Sequence, residues 1–250
     1  MHTTRRKFNA LAGGLALSKL QGQIFDPAPN RLHAPDSGSQ APPLSPGLHP
    51  LGLRTERDAL LYVPESSAKF DQAPLVLSLH GASRDANRGI ELLRTLADEH
   101  GFLLLAPATP GGTWDVISGP GGRDAEFINR SLAGTVGLRK IDRARIAMAG
   151  FSDGASCSLA LGLANGDFFS AVLGFSPGFV PDLVRVGNPP IFISHGTVDQ
   201  VLPIDECSRR IVPQLKRDGY RVTYQEFEGK HELPPSVAAQ AMRWFMEMRA

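Results

Sequence analysis

A serine between glycines, then an aspartate, then a histidine follow one another through the second half of this 250-residue chain, and side chains of these types in this order can perform acyl transfer. The serine is Ser152, in the G-x-S-x-G segment Gly150-Phe151-Ser152-Asp153-Gly154. The apolar run Ile146 to Ala149 leads into it and the small-residue stretch Ala155-Ser156-Cys157-Ser158 leads out, so a strand, a tight turn and a helix are expected in succession. In so sharp a turn the serine backbone is strained, glycines remove the Cβ atoms that would collide, and the hydroxyl projects above the strand end as a nucleophile elbow. The same turn would also suit a serine that only caps the helix.

A serine hydroxyl is a weak nucleophile until a base removes its proton and a third group orients that base. On a strand-turn-helix nucleophile the acid follows the serine and the histidine comes last. Only His195 and His231 lie beyond Ser152, and only His231 follows Asp199, which stands in His195-Gly196-Thr197-Val198-Asp199. An isolated loop histidine is usually solvated; its place in the order singles out His231. Asp205 and Glu206 compete with Asp199, but they read as the start of the next helix, where acids are favoured by capping and by the dipole. His195 is expected to bond locally and hold the loop that bears Asp199. His231-Glu232-Leu233-Pro234 is no zinc motif, because it lacks a second histidine and proline would break the helix such a motif needs.

Acyl transfer also needs two donors aimed at the oxyanion, each worth on the order of 3 kcal/mol of transition-state stabilisation. One is expected to be the N–H of Asp153, after the nucleophile. The other is expected in Leu79-His80-Gly81-Ala82-Ser83, with Ala82 favoured over Gly81 or Ser83, and His80 holding the loop. Gly81, Phe151 and Trp114 are candidate substrate-contacting residues, although Trp114 would suit core packing or a surface loop equally well. Gly119-Pro120-Gly121-Gly122 follows no strand, so it reads as a flexible pocket rim and not as a phosphate cradle.

The elements that must position these groups are written as short Leu-, Val- and Ile-rich runs alternating with longer amphipathic segments. Strands are expected at 59–63, 75–79, 102–106, 146–149, 171–175, 191–194 and 222–227, and helices at 86–100, 125–135, 155–164, 206–217 and 235–249. That alternation is the pattern of an α/β fold with a mostly parallel central sheet covered by helices on both faces. In such sheets the loops leaving the carboxyl ends of the strands build the site. The folded catalytic domain is expected over 51–250, preceded by a Pro- and Ser-rich linker over 26–50 that cannot bury a core of its own. Residues 1–25 contain Thr4-Arg5-Arg6-Lys7-Phe8 and an apolar run from Ala10 to Leu17, which reads as a twin-arginine export signal to the periplasm or the exterior. The shortness of that run, Lys19 close behind it and the absence of a clear cleavage site leave an uncleaved arm on a cytoplasmic protein as the alternative.

A formal net charge of +1 excludes the strongly basic surfaces that bind nucleic acid or anionic lipid, and no stretch reaches the roughly 20 apolar residues needed to span a bilayer. The expected partner is a small molecule, and oligomeric state is unreadable. Arg139, Lys140, Arg143 and Arg145 read as a solvated turn. Two cysteines, Cys157 and Cys207, are too few for a disulfide framework or a cysteine-based zinc site; a buried thiol at 157 and a bridge between the two are both open.

With Leu79-His80-Gly81, Gly150 to Gly154, His195 to Asp199 and Gly229-Lys230-His231 in this order, the chain resembles the carboxylesterase and phospholipase-like branch of the α/β hydrolases, which includes acyl-protein thioesterases and is similar to dienelactone hydrolases. The resemblance runs from about Leu60 to the C-terminus. It implies cofactor-free hydrolysis of carboxylic or thioester bonds, with Ser152, Asp199 and His231 as triad and the amides of Ala82 and Asp153 as oxyanion donors. Asp153 stands where acyl-protein thioesterases typically have glutamine, so deacylation of proteins is not carried over. Thioester, lactone or peptide hydrolysis on the same triad remain alternatives, as does a non-catalytic binding protein that keeps the fold.

Overall fold

Every residue of β3 (Ala73–Leu79) and β4 (Leu103–Ala106) is buried, as a strand covered by helices on both faces requires. Side chains alternate between the two covered layers. Leu75, Leu77 and Leu79 pack with α2 (Asp115–Ser118), α3 (Arg123–Leu138) and α4 (Asp153–Ala164), whereas Val76 packs with α1 (Ala86–His100) and α6 (Pro235–Glu247). The computed structural model describes residues 29–35 and 44–248, so the twin-arginine-like segment lies outside the described residues.

Among the described residues eight strands form one sheet in the order β1-β2-β4-β3-β5-β6-β7-β8. The remaining strands are β1 (Gly47–Pro50), β2 (Leu60–Val63), β5 (Ile141–Phe151), β6 (Ala171–Phe175), β7 (Ile191–Gly196) and β8 (Val222–Phe227). β1 and β2 run antiparallel, and from β4 to β8 all pairings are parallel. The order reverses at β3: the chain crosses to β4 on one side and returns as β5 on the other. Loops leaving β3 and β5 therefore diverge and leave a crevice at the carboxyl edge.

Asp85 caps α1 by accepting from the N–H groups of Asn87 (3.0 Å) and Arg88 (3.3 Å). α4 is buried along its whole length after Asp153, which seats the helix behind Ser152 as a core element with no solvent face. α5 (Ser208–Arg217) packs at the β7 and β8 end and starts two residues later than its sequence suggests.

The segment 26–50, which reads as a linker, is in part built into the domain. Leu32 is buried in the main core, and Asn165 accepts from its N–H at 2.7 Å while donating to the Asn30 carbonyl at 2.9 Å. Arg31 pairs with Asp167 at 2.6 Å, and the Arg143 guanidinium donates to the Ala34 carbonyl at 3.1 Å, so that arginine is a tether. β1 then extends the sheet edge. Composition argues correctly that this stretch has no core of its own; it borrows one from the domain. Gly121 and Gly122 face Asn30 and Pro29, so this glycine run lies under the N-terminal segment and is not a pocket rim.

Candidate active site

The turn from β5 to α4 places Ser152 at φ 59° and ψ −123°, a conformation that costs a non-glycine residue about 1–3 kcal/mol. The surroundings over-determine it. Its N–H donates to the Phe175 carbonyl at 2.9 Å, and its own carbonyl accepts from Ala155 at 2.9 Å and Ser156 at 3.1 Å. A Cβ on Gly150 would lie 2.2 Å from the Gly154 carbonyl oxygen, and one on Gly154 would lie 2.2 Å from that of Leu79, so neither position tolerates a side chain. The Ser152 hydroxyl makes no capping bond to α4, which removes the helix-cap reading and leaves the group projecting from the turn.

His231 meets that hydroxyl. Carried on the loop between β8 and α6, its Nε2 lies 2.9 Å from Ser152 Oγ and its Nδ1 lies 2.6 Å from Asp199 Oδ2. Asp199 Oδ1 already accepts from the N–H groups of Val201 and Leu202, both at 2.8 Å, leaving Oδ2 for the imidazole. Burial alone would push this carboxyl up, but the Leu202 N–H, His231 and the Val201 N–H outweigh it and hold Asp199 below the usual carboxylate range. An ionised Asp199 calls the imidazole proton to Nδ1 and leaves the Nε2 lone pair facing Ser152. The two loops are joined by main-chain bonds from Thr197 to Phe227 (2.8 Å) and Val198 to Gly229 (3.1 Å), and the Phe151 ring lies 4.7 Å from that of His231.

The loop after β3 approaches from the other side. The Thr109 N–H points to His80 Nε2 at 3.3 Å, so Nδ1 carries the proton and donates to the Gly81 carbonyl at 2.8 Å. Burial lowers the His80 pKa and favours this neutral form. A trans peptide directs its carbonyl and following N–H to opposite sides, so anchoring the Gly81 oxygen aims the Ala82 N–H away from His80. Among the described residues neither the Ala82 nor the Asp153 N–H donates to a protein acceptor. The Asp153 carboxylate is turned aside, accepting from the Thr113 hydroxyl at 2.5 Å.

Residues 125–248, which contain Ser152, Asp199 and His231, match the Phospholipase/Carboxylesterase family. Residues 125–248 belong to this branch of the α/β hydrolases. Solved structures similar to the hydrolase include esterase PE8, at 22% identity and a TM-score of 0.61 over 75% of this chain and 96% of that one. An acetyl xylan esterase from Aspergillus awamori is similar at 16% identity and a TM-score of 0.61, covering 80% of this chain and 98% of its own. A phospholipase/carboxylesterase from Dyadobacter fermentans is similar at 19% identity and a TM-score of 0.58, covering 76% and 96%. Identities this low carry the fold alone. No curated protein matches the sequence.

A cavity of about 400 Å³ opens over Ser152 and His231, lined also by Gly81, Ala82, Leu92 and Phe151. A second, of about 640 Å³, adjoins it along Arg88, Leu92, Phe151 and His231 and runs between α1 and the start of α6. Gly81 and Phe151 line the cavity over Ser152. Trp114 does not: it is buried, lines neither cavity, and donates from Nε1 to the His80 carbonyl at 2.9 Å, so the hydrolase uses it to brace the β3 loop. Arg84, Arg88 and Leu92 are cavity residues that the sequence does not announce, since nothing local marks which face of a loop or helix will meet the crevice.

His195 is buried beside the acid, with Nδ1 2.7 Å from Ser208 Oγ and Nε2 2.8 Å from the Leu202 carbonyl and 3.3 Å from Asp199 Oδ2. It holds the acid's loop, and burial lowers its pKa. Asp205 is exposed and paired with Arg209 at 2.8 Å, away from His231. Cys157 and Cys207 are separate buried thiols. Among the described residues no cluster of three or more His, Cys, Asp or Glu side chains is arranged to hold a metal ion, and no helix is long and apolar enough to cross a membrane.

Proposed function

We propose that this hydrolase is a serine carboxylic ester hydrolase that works through an acyl-enzyme on Ser152. The observation that carries the reading is the unbroken hydrogen-bonded line Ser152 Oγ, His231, Asp199 beside two unclaimed N–H groups. Ser152 Oγ attacks the ester carbonyl while His231 Nε2 takes its proton, and Asp199 steadies the imidazolium. The carbonyl oxygen becomes an oxyanion that accepts from the Ala82 and Asp153 amides. His231 then returns the proton to the leaving alkoxide as the C–O bond breaks. Water, deprotonated by the same imidazole, releases the acid and restores the serine.

Ser152→Ala tests the assignment: ester turnover is expected to fall by on the order of 10^6 with folding preserved. A fluorophosphonate should label the wild type at Ser152; retained turnover in the variant, or no labelling, refutes the reading. Thioesters, lactones and peptides would pass through the same acyl-enzyme, and a panel of p-nitrophenyl esters beside those substrates ranks them. Export by the twin-arginine-like segment is proposed as well: with Arg5 and Arg6 both changed to Lys the protein should remain in the cytoplasm, whereas the wild type appears outside it.

A further inference from the structure

The cavity over Ser152 has an uneven charge. Among its described lining residues none is acidic, while two are arginines, Arg84 and Arg88. Arg88 is paired within its own helix to Glu91. Arg57, behind the loop, is engaged through Nε with the Thr109 carbonyl and through Nη2 with that of Arg84. The Arg84 guanidinium makes no hydrogen bond, ion pair or ring contact among the described residues. Arg84, permanently charged, therefore lines the proposed reaction chamber with no partner for its guanidinium among the described residues.

Its position relative to the chemistry is set by the chain. Arg84 is two residues beyond Ala82, so its Cα lies within about 7 Å of that residue's. Its N–H points to the same Gly81 carbonyl, at 3.3 Å, that His80 anchors, which fixes the start of the side chain against the oxyanion loop. Leu92 and Phe151 line this cavity and the adjoining cleft, where Leu96, Leu233 and Ala238 add apolar surface and Glu91 and Glu232 are the acidic residues.

We propose that Arg84 is a specificity-determining residue, and that the preferred substrates are esters with an apolar portion and, on the other portion near the scissile carbonyl, a carboxylate. A planar guanidinium without a competing acid recognises a carboxylate by paired N–H donors, and a neutral ester of the same length leaves it unanswered. This inference rests on the esterase reading of Ser152 and deepens it.

The test compares matched esters on the wild type and on Arg84→Gln, Arg84→Lys and Arg84→Glu. One pair, p-nitrophenyl glutarate and p-nitrophenyl valerate, puts the charge in the acyl part; a second, 4-(butyryloxy)benzoate and its methyl ester, puts it in the leaving group. Taking the anionic-to-neutral ratio of kcat/KM within each enzyme, and then comparing enzymes, cancels the intrinsic reactivity of the esters. In at least one pair the ratio is expected to fall about tenfold or more in Arg84→Gln, mostly through KM, to recover in part in Arg84→Lys and to fall further in Arg84→Glu. Raising the ionic strength to about 1 M should draw the wild-type ratio toward that of Arg84→Gln, because the contact is open to solvent. Ratios unchanged across the variants in both pairs overturn the inference while leaving the esterase reading intact. A wild type that turns over no ester and is not labelled at Ser152 overturns the esterase reading itself.

Discussion

His80 and Gly81 are joined by a hydrogen bond in which the imidazole Nδ1–H donates to the neighbouring carbonyl at 2.8 Å, and the plane of that peptide determines where the Ala82 N–H points. His80 lines the cavity over Ser152, but both its ring nitrogens are engaged, Nδ1 with the Gly81 carbonyl and Nε2 with the Thr109 N–H, so the role proposed for it runs through that one peptide. His80→Ala should therefore lower kcat by about 10^2-fold with KM nearly unchanged, the magnitude of losing one oxyanion donor. His80→Asn, whose Nδ2–H occupies nearly the same place as Nδ1–H, should recover much of that loss. Steady-state kinetics on a single ester decides it, and equal losses for the two variants would deny the role.

Asp199 invites a two-part prediction. Replacing it with Asn should depress kcat by about 10^4-fold, since the amide no longer holds the Nδ1–H tautomer of His231. The second part concerns acid. Asp199 ionises below the ordinary range when folded and returns to about 3.9 when unfolded, so its ionised form favours the folded state above about pH 4. That contribution fades as pH falls through the lower folded value. Urea unfolding at neutral pH and near pH 3 should show a larger loss of stability for wild type than for Asp199→Asn.

Gly154 meets the Leu79 and His80 carbonyl oxygens at 2.2 and 2.6 Å from where a Cβ would stand, and these are backbone atoms that have no rotamer to escape into. Gly154→Ala should cost about 3 kcal/mol or more. Thermal melting should fall by about 6–12 °C, at roughly 2–4 °C per kcal/mol for a chain of this size.

Leu32 tests the N-terminal segment. It is 4% exposed within the main core, and its N–H is held by Asn165. Leu32→Ala should destabilise the fold by about 2 kcal/mol, measured by denaturant titration, whereas a true linker residue would change nothing.

Cys157 and Cys207 are buried as separate thiols, and burial pushes both pKa values up, the former strongly. Neither should react with a thiol-specific chromogenic disulfide at neutral pH in the native protein, and both should react once the chain is unfolded in guanidinium.

The central strands were legible because each buried run is short, apolar and bounded by turn residues; β6 and β8 occupy the residues their pattern predicts. β1 was hidden: Gly-Leu-His-Pro has little strand character of its own and pairs only because β2 offers an open edge. The start of α5 differs from its sequence pattern for a related reason, since Asp205 and Glu206 look like first-turn acids but lie in the turns before Ser208.

What the sequence by itself determined is what depends on neighbours along the chain: the elbow around Ser152, whose glycines must stand two residues to either side, and the order in which acid and base follow it. Those are local demands of backbone geometry, so they are written locally. Tertiary structure alone decided that Trp114 braces His80 from 34 positions away, that Leu32 is caught by Asn165 across 133, and that Arg84, unpaired among the described residues, lines the cavity over Ser152. Such contacts depend on how a loop or helix is turned once the sheet is assembled, and no short stretch of residues encodes that orientation.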